Sequence, residues 1–340
     1  MKFTLALTAI LLSLPLMAAP QSATPAPQKF TLKKVWQIPA DTDLDKFTIG
    51  GLSGCSRLND EIYFVSDDRA NQGPYRILVL KYDTQNAELN ITDRKWLKVA
   101  KPLDNKTFLD MEGIARLTPD RTLISSEGDL NQKPRQPVSL FWINEKGERV
   151  SDVTLPQKFI ANPSGMQTRG TQNNLGFEGL SIDRDLGLWG AILEAPLVQD
   201  LTKLLMIEGS ASGTSVQNEW SYPLPKYIGD GLGAQMGVTD FVYDKNQSLI
   251  VIERGVSVGL SGLVYDVQMC TAEKDPATKS IKKNCFYDFA KDKTLKTHVK
   301  DVLNYEGICW LNDQKTQFMV VNDNNFSKTE NNLFLLYQID

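Results

Sequence analysis

Nine acidic side chains stand at the ends of short apolar stretches and could together bind a divalent cation. Carboxylate oxygens are hard ligands that favour Ca²⁺ or Mg²⁺, and Ca²⁺ accepts irregular sites with many oxygens. Carboxylates that lie close together repel one another unless they are protonated, paired with a basic residue or neutralised by a cation. The sequence therefore predicts bound Ca²⁺, or alternatively Mg²⁺, on some of the nine: Asp67, Glu112, Glu127, Glu178, Glu194, Asp240, Glu253, Glu306 and Asp323.

Five further side chains near these acids could bind an anionic substrate. Arg69, Arg169 and Arg254 can each hold a phosphate or carboxylate through two parallel hydrogen bonds. Asn322 and Asn324 flank Asp323 and could add amide oxygens. Bound cations would hold an anionic ester and activate water, which predicts a cation-dependent hydrolase of phosphoric or other esters. The acids could instead brace neighbouring strands through backbone N–H groups, which leaves a non-catalytic ligand- or protein-binding module as the alternative.

The acids belong to a motif that occurs five times. Its copies begin at Gly50-Gly51-Leu52-Ser53, Glu112-Gly113-Ile114-Ala115, Glu178-Gly179-Leu180-Ser181, Thr239-Asp240-Phe241-Val242 and Glu306-Gly307-Ile308-Cys309. The markers Gly51, Gly113, Gly179, Asp240 and Gly307 follow one another at steps of 61 to 67 residues. An apolar stretch ending in an acid follows each marker within 13 to 16 residues. Self-similarity at a near-fixed period predicts a repeat architecture.

Short strand-like runs separated by turn residues dominate the chain, as at residues 62–66, 249–252 and 318–321. Several short strands per repeat predict an all-β protein, a β-propeller of five or six blades in a closed ring. Residues 30–38 are expected to form a strand that completes the last blade. In an antiparallel hairpin the first residue of one strand lies opposite the last residue of the next. The nine acids are therefore expected at one mouth of the ring.

The N-terminal segment is typical of an exported protein. Lys2, an apolar run over residues 5–16 and the small-residue exit Met17-Ala18-Ala19 predict a signal peptide over residues 1–19. The apolar run is too short for a membrane span. Residues 20–28 predict a disordered spacer, and residues 29–340 a single domain in the periplasm or outside the cell. The net charge of -4 and the scattered basic residues argue against nucleic acid as a partner. A small anionic ester or an envelope ligand is expected instead, and the oligomeric state is not predicted.

Four cysteines could form disulfides in an exported chain. Cys270 and Cys285 flank a polar loop, residues 271–284, and are predicted to bridge the base of a hairpin. Cys55 and Cys309 follow the first and last copies of the motif. These two would pair if the first and last blades were neighbours, and two buried free thiols are an equal alternative.

Missing motifs exclude several hydrolase classes. His298 is the single histidine, and it lies outside any Arg-His-Gly sequence. The paired histidines of zinc hydrolases and the Gly-Lys-Ser/Thr phosphate loop do not occur. No Gly-x-Ser-x-Gly sequence stands in the strand-to-helix setting that the nucleophile of serine hydrolases requires. The carboxylates therefore remain as the candidate functional groups.

At the repeated motifs the chain resembles the family named for an esterase-like activity of phytase. The resemblance spans nearly all of the mature chain and implies an exported, propeller-like domain with a hydrolase activity. The Asp-Pro-Ala-x-Trp type of motif found in calcium-dependent propeller phytases is not found here. The matching residues are Gly51-Leu52-Ser53-Gly54 with Ser66-Asp67-Asp68, Asp110-Met111-Glu112-Gly113-Ile114 with Ser126-Glu127-Gly128, Asn174-Leu175-Gly176-Phe177-Glu178-Gly179-Leu180 with Glu194-Ala195-Pro196-Leu197, Val238-Thr239-Asp240 with Glu253-Arg254, and Asn304-Tyr305-Glu306-Gly307-Ile308 with Asn322-Asp323-Asn324-Asn325-Phe326.

Overall fold

Strands and short turns make up the computed structural model, which describes residues 29–101, 108–229, 232–260 and 262–340. The predicted signal peptide over residues 1–19 and the predicted spacer over residues 20–28 lie outside the described residues. Within the described ranges, regular structure other than β-strand is limited to single 3₁₀ turns at Gln157–Phe159, Lys245–Gln247, Phe289–Lys291 and Leu295–Thr297. The all-β prediction is therefore confirmed.

The strands are short and follow one another closely along the chain. In chain order they are β1 (Phe30–Ile38), β2 (Asp43–Leu44), β3 (Phe47–Thr48), β4 (Leu52–Leu58), β5 (Glu61–Ser66), β6 (Arg76–Asp83), β7 (Glu88–Lys98), β8 (Met111–Thr118), β9 (Arg121–Ser126), β10 (Ser139–Ile143), β11 (Arg149–Asp152), β12 (Phe177–Asp183), β13 (Leu188–Leu193), β14 (Lys203–Ser210), β15 (Asn218–Pro223), β16 (Leu232–Tyr243), β17 (Leu249–Gly259), β18 (Gly262–Asp275), β19 (Ser280–Asp288), β20 (Tyr305–Trp310), β21 (Gln317–Asn322) and β22 (Asn332–Ile339).

Four sheets contain most of these strands. Two of them are the antiparallel meanders β4-β5-β6-β7 and β8-β9-β10-β11, and a third has the order β1-β22-β21-β20. The pairing of β1 with β22 joins the N-terminal strand to the last sheet, as the sequence predicts. The fourth sheet has eight strands in the order β12-β13-β14-β15-β19-β18-β17-β16. Its two four-stranded halves meet at a single parallel pair, Ser221 with Ser280.

The strands β4, β8, β12, β16 and β20 each begin one four-stranded unit, and they pack side by side. They contact one another in chain order, and β20 also contacts β4. Glycines allow this approach, because a Cβ on Gly113 would lie 2.6 Å from the carbonyl oxygen of Glu178. A Cβ on Gly54 would lie 2.7 Å from the carbonyl oxygen of Glu112. Hence each glycine brings its strand close to the first strand of the next unit.

Apolar cores fill the space between successive sheets. One core joins Ile77 of β6, Ile114 of β8 and Phe141 of β10, all with side chains that are at most 1% exposed. The alternation of side chains along each strand places these residues inward and leaves the opposite face for the next interface. Within the described ranges, no helix has the length and hydropathy needed to cross a membrane.

Two disulfides stabilise the sheets. The predicted bridge between Cys270 and Cys285 is confirmed, and it joins directly opposed residues of β18 and β19. The polar stretch over residues 271–284 is largely strand, since β18 and β19 continue to a turn at residues 276–279. The second bridge joins Cys55 of β4 to Cys309 of β20. Of the two alternatives for these cysteines, the structure therefore shows the disulfide.

Candidate metal centre

Strand register defines two equivalent positions in every repeat. In each repeat a bulge in the first strand follows one register pair, which we use as the reference pair. The marker position is the first-strand residue that follows this pair, and the strand-end position is the second-strand residue that follows its partner. The reference pairs are Leu52 with Ser66, Met111 with Ser126, Phe177 with Leu193, Val238 with Glu253 and Tyr305 with Asn322. The marker position is therefore held by Ser53, Glu112, Glu178, Thr239 and Glu306, and the strand-end position by Asp67, Glu127, Glu194, Arg254 and Asp323.

The backbone fixes the strand-end acids beside the first strand of their own repeat. In four repeats the strand-end N–H donates to the carbonyl two residues before the marker position. These bonds join Asp67 to Gly51 at 2.9 Å, Glu127 to Asp110 at 2.9 Å, Glu194 to Gly176 at 2.8 Å and Asp323 to Asn304 at 2.8 Å. The two acid positions consequently lie at the same end of each hairpin, as the sequence argument requires.

Eight carboxyl groups from four repeats come together at this end, and we call them the acidic cluster. Charges of one repeat act on carboxyls of another: besides burial, the charge of Glu306 raises the pKa of Asp67 and the charge of Glu178 raises the pKa of Glu112. All are buried except Asp67, which is partly exposed. Seven of the nine acids predicted from the sequence are among them. The members are Asp67, Asp110, Glu112, Glu127, Glu178, Glu194, Glu306 and Asp323.

Two sets of three acids within the cluster have the spacing of cation ligands. The first triad is Asp110, Glu112 and Glu127, and the second triad is Glu127, Glu178 and Glu194. In each triad one carboxylate oxygen per residue lies within 4.8 Å of the others. Glu127 belongs to both triads, so the two possible sites adjoin one another.

Glu127 and Glu178 each keep a carboxylate oxygen without a hydrogen-bond donor. Oε1 of Glu127 accepts the N–H of Gly176, whereas its Oε2 and the Oε2 of Glu178 receive no bond from the described part of the chain. Both side chains are buried, at 2% and 6% exposure. Burial, followed by the charge of Glu194 on Glu127 and of Glu127 on Glu178, raises the pKa of both carboxyls well above the usual range. Both need a proton or a positive charge.

Arg254 supplies positive charge to the opposite side of the cluster. Its guanidinium donates to Glu194 and Glu306, and to Oδ1 of Asn304 at 2.7 Å. Despite burial, the charges of Glu306 and Glu194 raise the pKa of Arg254 further. Arg254 occupies the strand-end position, where the other four repeats carry an acid. The fourth repeat therefore replaces an acid with an internal counter-ion.

Arg69 lies at the open edge of the cluster. Its Nε donates to Asp110 Oδ1 at 2.7 Å, and its Nη2 donates to Asn174. The Arg69 side chain is 40% exposed. Burial and then the charge of Glu306 raise the pKa of nearby Asp67 to about 7. Burial likewise raises the pKa of Asp110 to about 6, although Arg69 opposes the shift.

Three of the predicted site residues lie away from the cluster. Asp240 accepts the backbone N–H groups of Phe241 and Ile308 at 2.8 Å, so it braces two neighbouring first strands. Glu253 bonds Tyr222, Gln268 and Lys283 on another face of its strand, and Arg169 donates to the carbonyl of Ile160. The register explains the first two, because both are one residue from the equivalent positions and a shift of one residue reverses the face.

The two predicted asparagines lie beside the cluster and shape the loop that precedes β22. Asn322 donates to Glu330 Oε1 at 2.9 Å, and its own oxygen accepts the N–H of Leu333 at 2.6 Å. Asn324 accepts the N–H of Gly51 at 3.3 Å and donates to the carbonyl of Glu330 at 2.9 Å. Both amide oxygens are thus engaged by the backbone, and they fix the loop at the edge of the cluster.

Sequence reasoning missed Asp110 and Asn304, which both lie two residues before a marker glutamate. Asn304 donates to Glu306 Oε1 at 2.9 Å and accepts from Arg254, while Asp110 is part of the first triad. Residues two apart on a strand share a face. A search for polar side chains at that spacing from Glu112 and Glu306 would have found both.

Known proteins give the following comparisons. A family model described as phytase-like, esterase-like activity of phytase, matches residues 48–326. No curated protein sequence matches the chain. A mannose phosphorylase from Leishmania mexicana in complex with phosphate is 10% identical, with 89% of this chain and 88% of that chain covered and a TM-score of 0.44. The GH43B protein of a Bacteroides ovatus xyloglucan PUL is 12% identical, with 89% and 54% covered and a TM-score of 0.48. A protein of unknown function from Dyadobacter fermentans is 9% identical, with 92% and 99% covered and a TM-score of 0.45.

Proposed function

The chain belongs to the phytase-like family, described by an esterase-like activity of phytase, and from this membership and the acidic cluster we propose that it is a divalent-cation-dependent hydrolase of phosphoric or other esters. The observation that carries the proposal is the pair of buried, unpartnered carboxylate oxygens on Glu127 and Glu178 within the described chain. Oxygen ligands alone favour Ca²⁺, with Mg²⁺ as the alternative.

We place the site at one mouth of a five-bladed propeller. The five first strands contact one another in chain order, and β20 contacts β4. With β1 paired to β22, the last sheet combines both ends of the chain. This arrangement supports a closed ring of five blades, with the acidic cluster around the axis at the end where the second strands finish.

Export of the chain is part of the proposal. The two disulfides are typical of proteins that fold outside the reducing cytosol. Together with the N-terminal pattern over residues 1–19, they support a periplasmic or secreted location. A substrate there would be a small anionic ester or a component of the envelope.

The chain's own residues would divide the work at this site. The carboxylates of the two triads would hold the cation, and when bound the cation would supply a Lewis acid that polarises the ester and lowers the pKa of water. Arg69 is 40% exposed, so it is the arginine available to an anionic group of the substrate. Arg254 is committed to Glu194 and Glu306. In the hydrolysis, the water oxygen forms a bond to the phosphorus or acyl carbon while the bond from that atom to the alcohol oxygen breaks. One proton of the water goes to the leaving alcohol.

A non-catalytic binding module is the second candidate, and the depth of the cluster favours it. Glu127 is only 2% exposed, so an ion bound there could stabilise the fold without contacting a substrate. In that case the cation would raise the melting temperature, while no ester would be hydrolysed. A ligand of the envelope would then bind at the rim near Arg69.

A calcium titration followed by an ester screen tests both candidates. The chain is stripped with a chelator, and melting is measured with and without Ca²⁺ or Mg²⁺ before phosphoesters and carboxyesters are assayed. We expect chelator-sensitive hydrolysis that is lost in the combined Glu178→Gln and Glu306→Gln variant. Glu148→Gln, which changes an exposed acid outside the cluster, is the matched control. An unchanged melting temperature in all conditions would contradict cation binding, and stabilisation without hydrolysis would select the binding module.

A further inference from the structure

We propose that the acidic cluster holds two divalent cations, one on each triad, with Glu127 as their shared ligand. The inference rests on the proposed function only in requiring that the cluster bind cations. It adds the number of ions and assigns their ligands. The first triad supplies Asp110 and Glu112, the second supplies Glu178 and Glu194, and Glu127 completes both.

The geometry of Glu127 suits a bridging carboxylate. In each triad a carboxylate oxygen of Glu127 lies within 4.8 Å of the ligand oxygens of the other two acids. Two cations that share ligands in this way are typically about 3.5–4 Å apart. Oε2 of Glu127 accepts no bond within the described chain, and Oε1 accepts only the N–H of Gly176. Because a carboxylate oxygen has two lone pairs, Oε1 can accept that bond and also bind an ion.

The basic residues of the cluster contact the outer members of the triads and leave the centre unpaired. Arg69 binds Asp110 in the first triad, and Arg254 binds Glu194 in the second. No Lys or Arg within the described ranges forms an ion pair with Glu127, Glu112 or Glu178. The carboxylates without a basic partner are therefore the central ones, and they include Glu127, which the two triads share.

Charge balance favours two ions over one. The eight carboxyls of the cluster face only the guanidiniums of Arg69 and Arg254 as basic partners within the described chain. A single divalent ion would leave the remaining buried carboxylates to repel one another or to take up protons. A second ion brings the cluster closer to neutrality and uses Glu178 Oε2, the other unpartnered oxygen.

Counting bound ions tests the proposal without any assay of activity. Chelator-stripped chain is titrated with Ca²⁺ at pH 8 by calorimetry, and bound ions are counted after equilibrium dialysis. We expect the native chain to bind two ions. Asp110→Asn and Glu178→Gln should each bind one ion, because each variant loses a ligand of one triad. Glu127→Gln should bind both ions at least a hundredfold more weakly. Glu148→Gln should keep two. A native stoichiometry of one, or two tight ions in Glu127→Gln, overturns the inference.

A measurement on the native chain keeps the test decisive if Glu127→Gln fails to fold. Mn²⁺ replaces Ca²⁺, and its paramagnetic resonance is recorded as the ion is added. Two ions on one shared carboxylate should give a spectrum broadened by coupling once the second ion binds, whereas separate ions give the six-line pattern throughout and overturn the proposal. One bound ion with chelator-sensitive hydrolysis rejects the shared pair but keeps the proposed function, and no bound ion rejects both.

Discussion

The two sides of the acidic cluster have equivalent backbone positions and differ in the source of their positive charge. On one side Arg254 occupies the strand-end position and pairs with Glu194 and Glu306. On the other side the same position holds Glu127, whose Oε2 has no partner in the described chain. A basic residue at a single position of one repeat can thus neutralise the acids on one side of a site. The acids on the other side then depend on a bound ion for their positive charge.

Glu253 is a buried acid whose charge is balanced by a neighbouring basic side chain of the same protein. It has no measurable exposure and bonds Tyr222 at 2.7 Å, Gln268 at 2.9 Å and the ammonium of Lys283. Both carboxylate oxygens are therefore satisfied by side chains. Glu127 and Glu178 lack such partners in the described chain, so the difference lies in the neighbouring side chains and not in burial.

Removal of Arg254 should produce the largest effect. Arg254→Met leaves Glu194 and Glu306 facing each other without their counter-ion, and breaking a buried pair in this way costs about 3–5 kcal/mol. We expect urea unfolding in chelator to show a loss of that size, with partial recovery in Ca²⁺. Arg169→Met, which removes only a contact with the Ile160 carbonyl, is the control. Equal stability of the two variants would contradict the role of Arg254 as internal counter-ion.

Glu127→Gln should abolish the stabilisation that the cation provides. An ion present at 100 times its dissociation constant stabilises the folded state by about 2.7 kcal/mol. We expect this increment in the native chain and its absence in the variant, when melting is followed with and without Ca²⁺. In chelator the variant should be at least as stable as the native chain, because a like charge has been removed. A full calcium response in the variant would place the ion elsewhere.

The pH dependence of stability should separate the ion-free cluster from the ion-loaded one. The pKa of Asp67 is raised to about 7, and that of Asp110 to about 6, above an unfolded value of about 3.9. The folded state therefore binds more protons than the unfolded state. The stabilisation that these protons provide is complete below pH 4 and is lost as the pH rises to about 7. Without cation we expect a decrease of at most about 7 kcal/mol, about 4 from Asp67 and about 3 from Asp110.

Calcium should oppose this decrease, because it replaces the protons. Urea unfolding between pH 4 and 8, with chelator and with Ca²⁺, checks the sign. Asp110→Asn should reduce the slope in chelator. A chelator-treated chain that gains stability between pH 5 and 8 would contradict the expected direction.

The sequence predicted the repeat and the shared end of the hairpins, because both follow from local spacing. It misassigned the fourth copy, where Asp240 and Glu253 look like the recurring acids. Only the pairing of Val238 with Glu253 reveals that Thr239 and Arg254 hold the equivalent positions. Bulges between the paired residues change the count, so spacing alone cannot fix the register.

The ion pairs that neutralise part of the acidic cluster could not be predicted from the sequence either. The contacts of Arg254 with Glu194 and Glu306 cross 60 and 52 residues. Such contacts depend on how neighbouring first strands pack. The sequence therefore gives the types of residue at the site, while packing decides which of them remain available to an ion.

Replacement of Arg69 should produce the smallest change in stability and the most specific change in binding. The Arg69 side chain is 40% exposed, so its pair with Asp110 contributes about 1 kcal/mol or less. Arg69→Gln removes a positive charge beside the first triad and frees Asp110 Oδ1, so Ca²⁺ should bind severalfold more tightly there. The difference should shrink at high salt, since exposed charges are screened. Calorimetric titration at two ionic strengths measures this change. If Arg254→Gln tightened calcium binding while Arg69→Gln did not, the assignment of the two sides would be reversed, because the ion would then compete with Arg254 and not with Arg69.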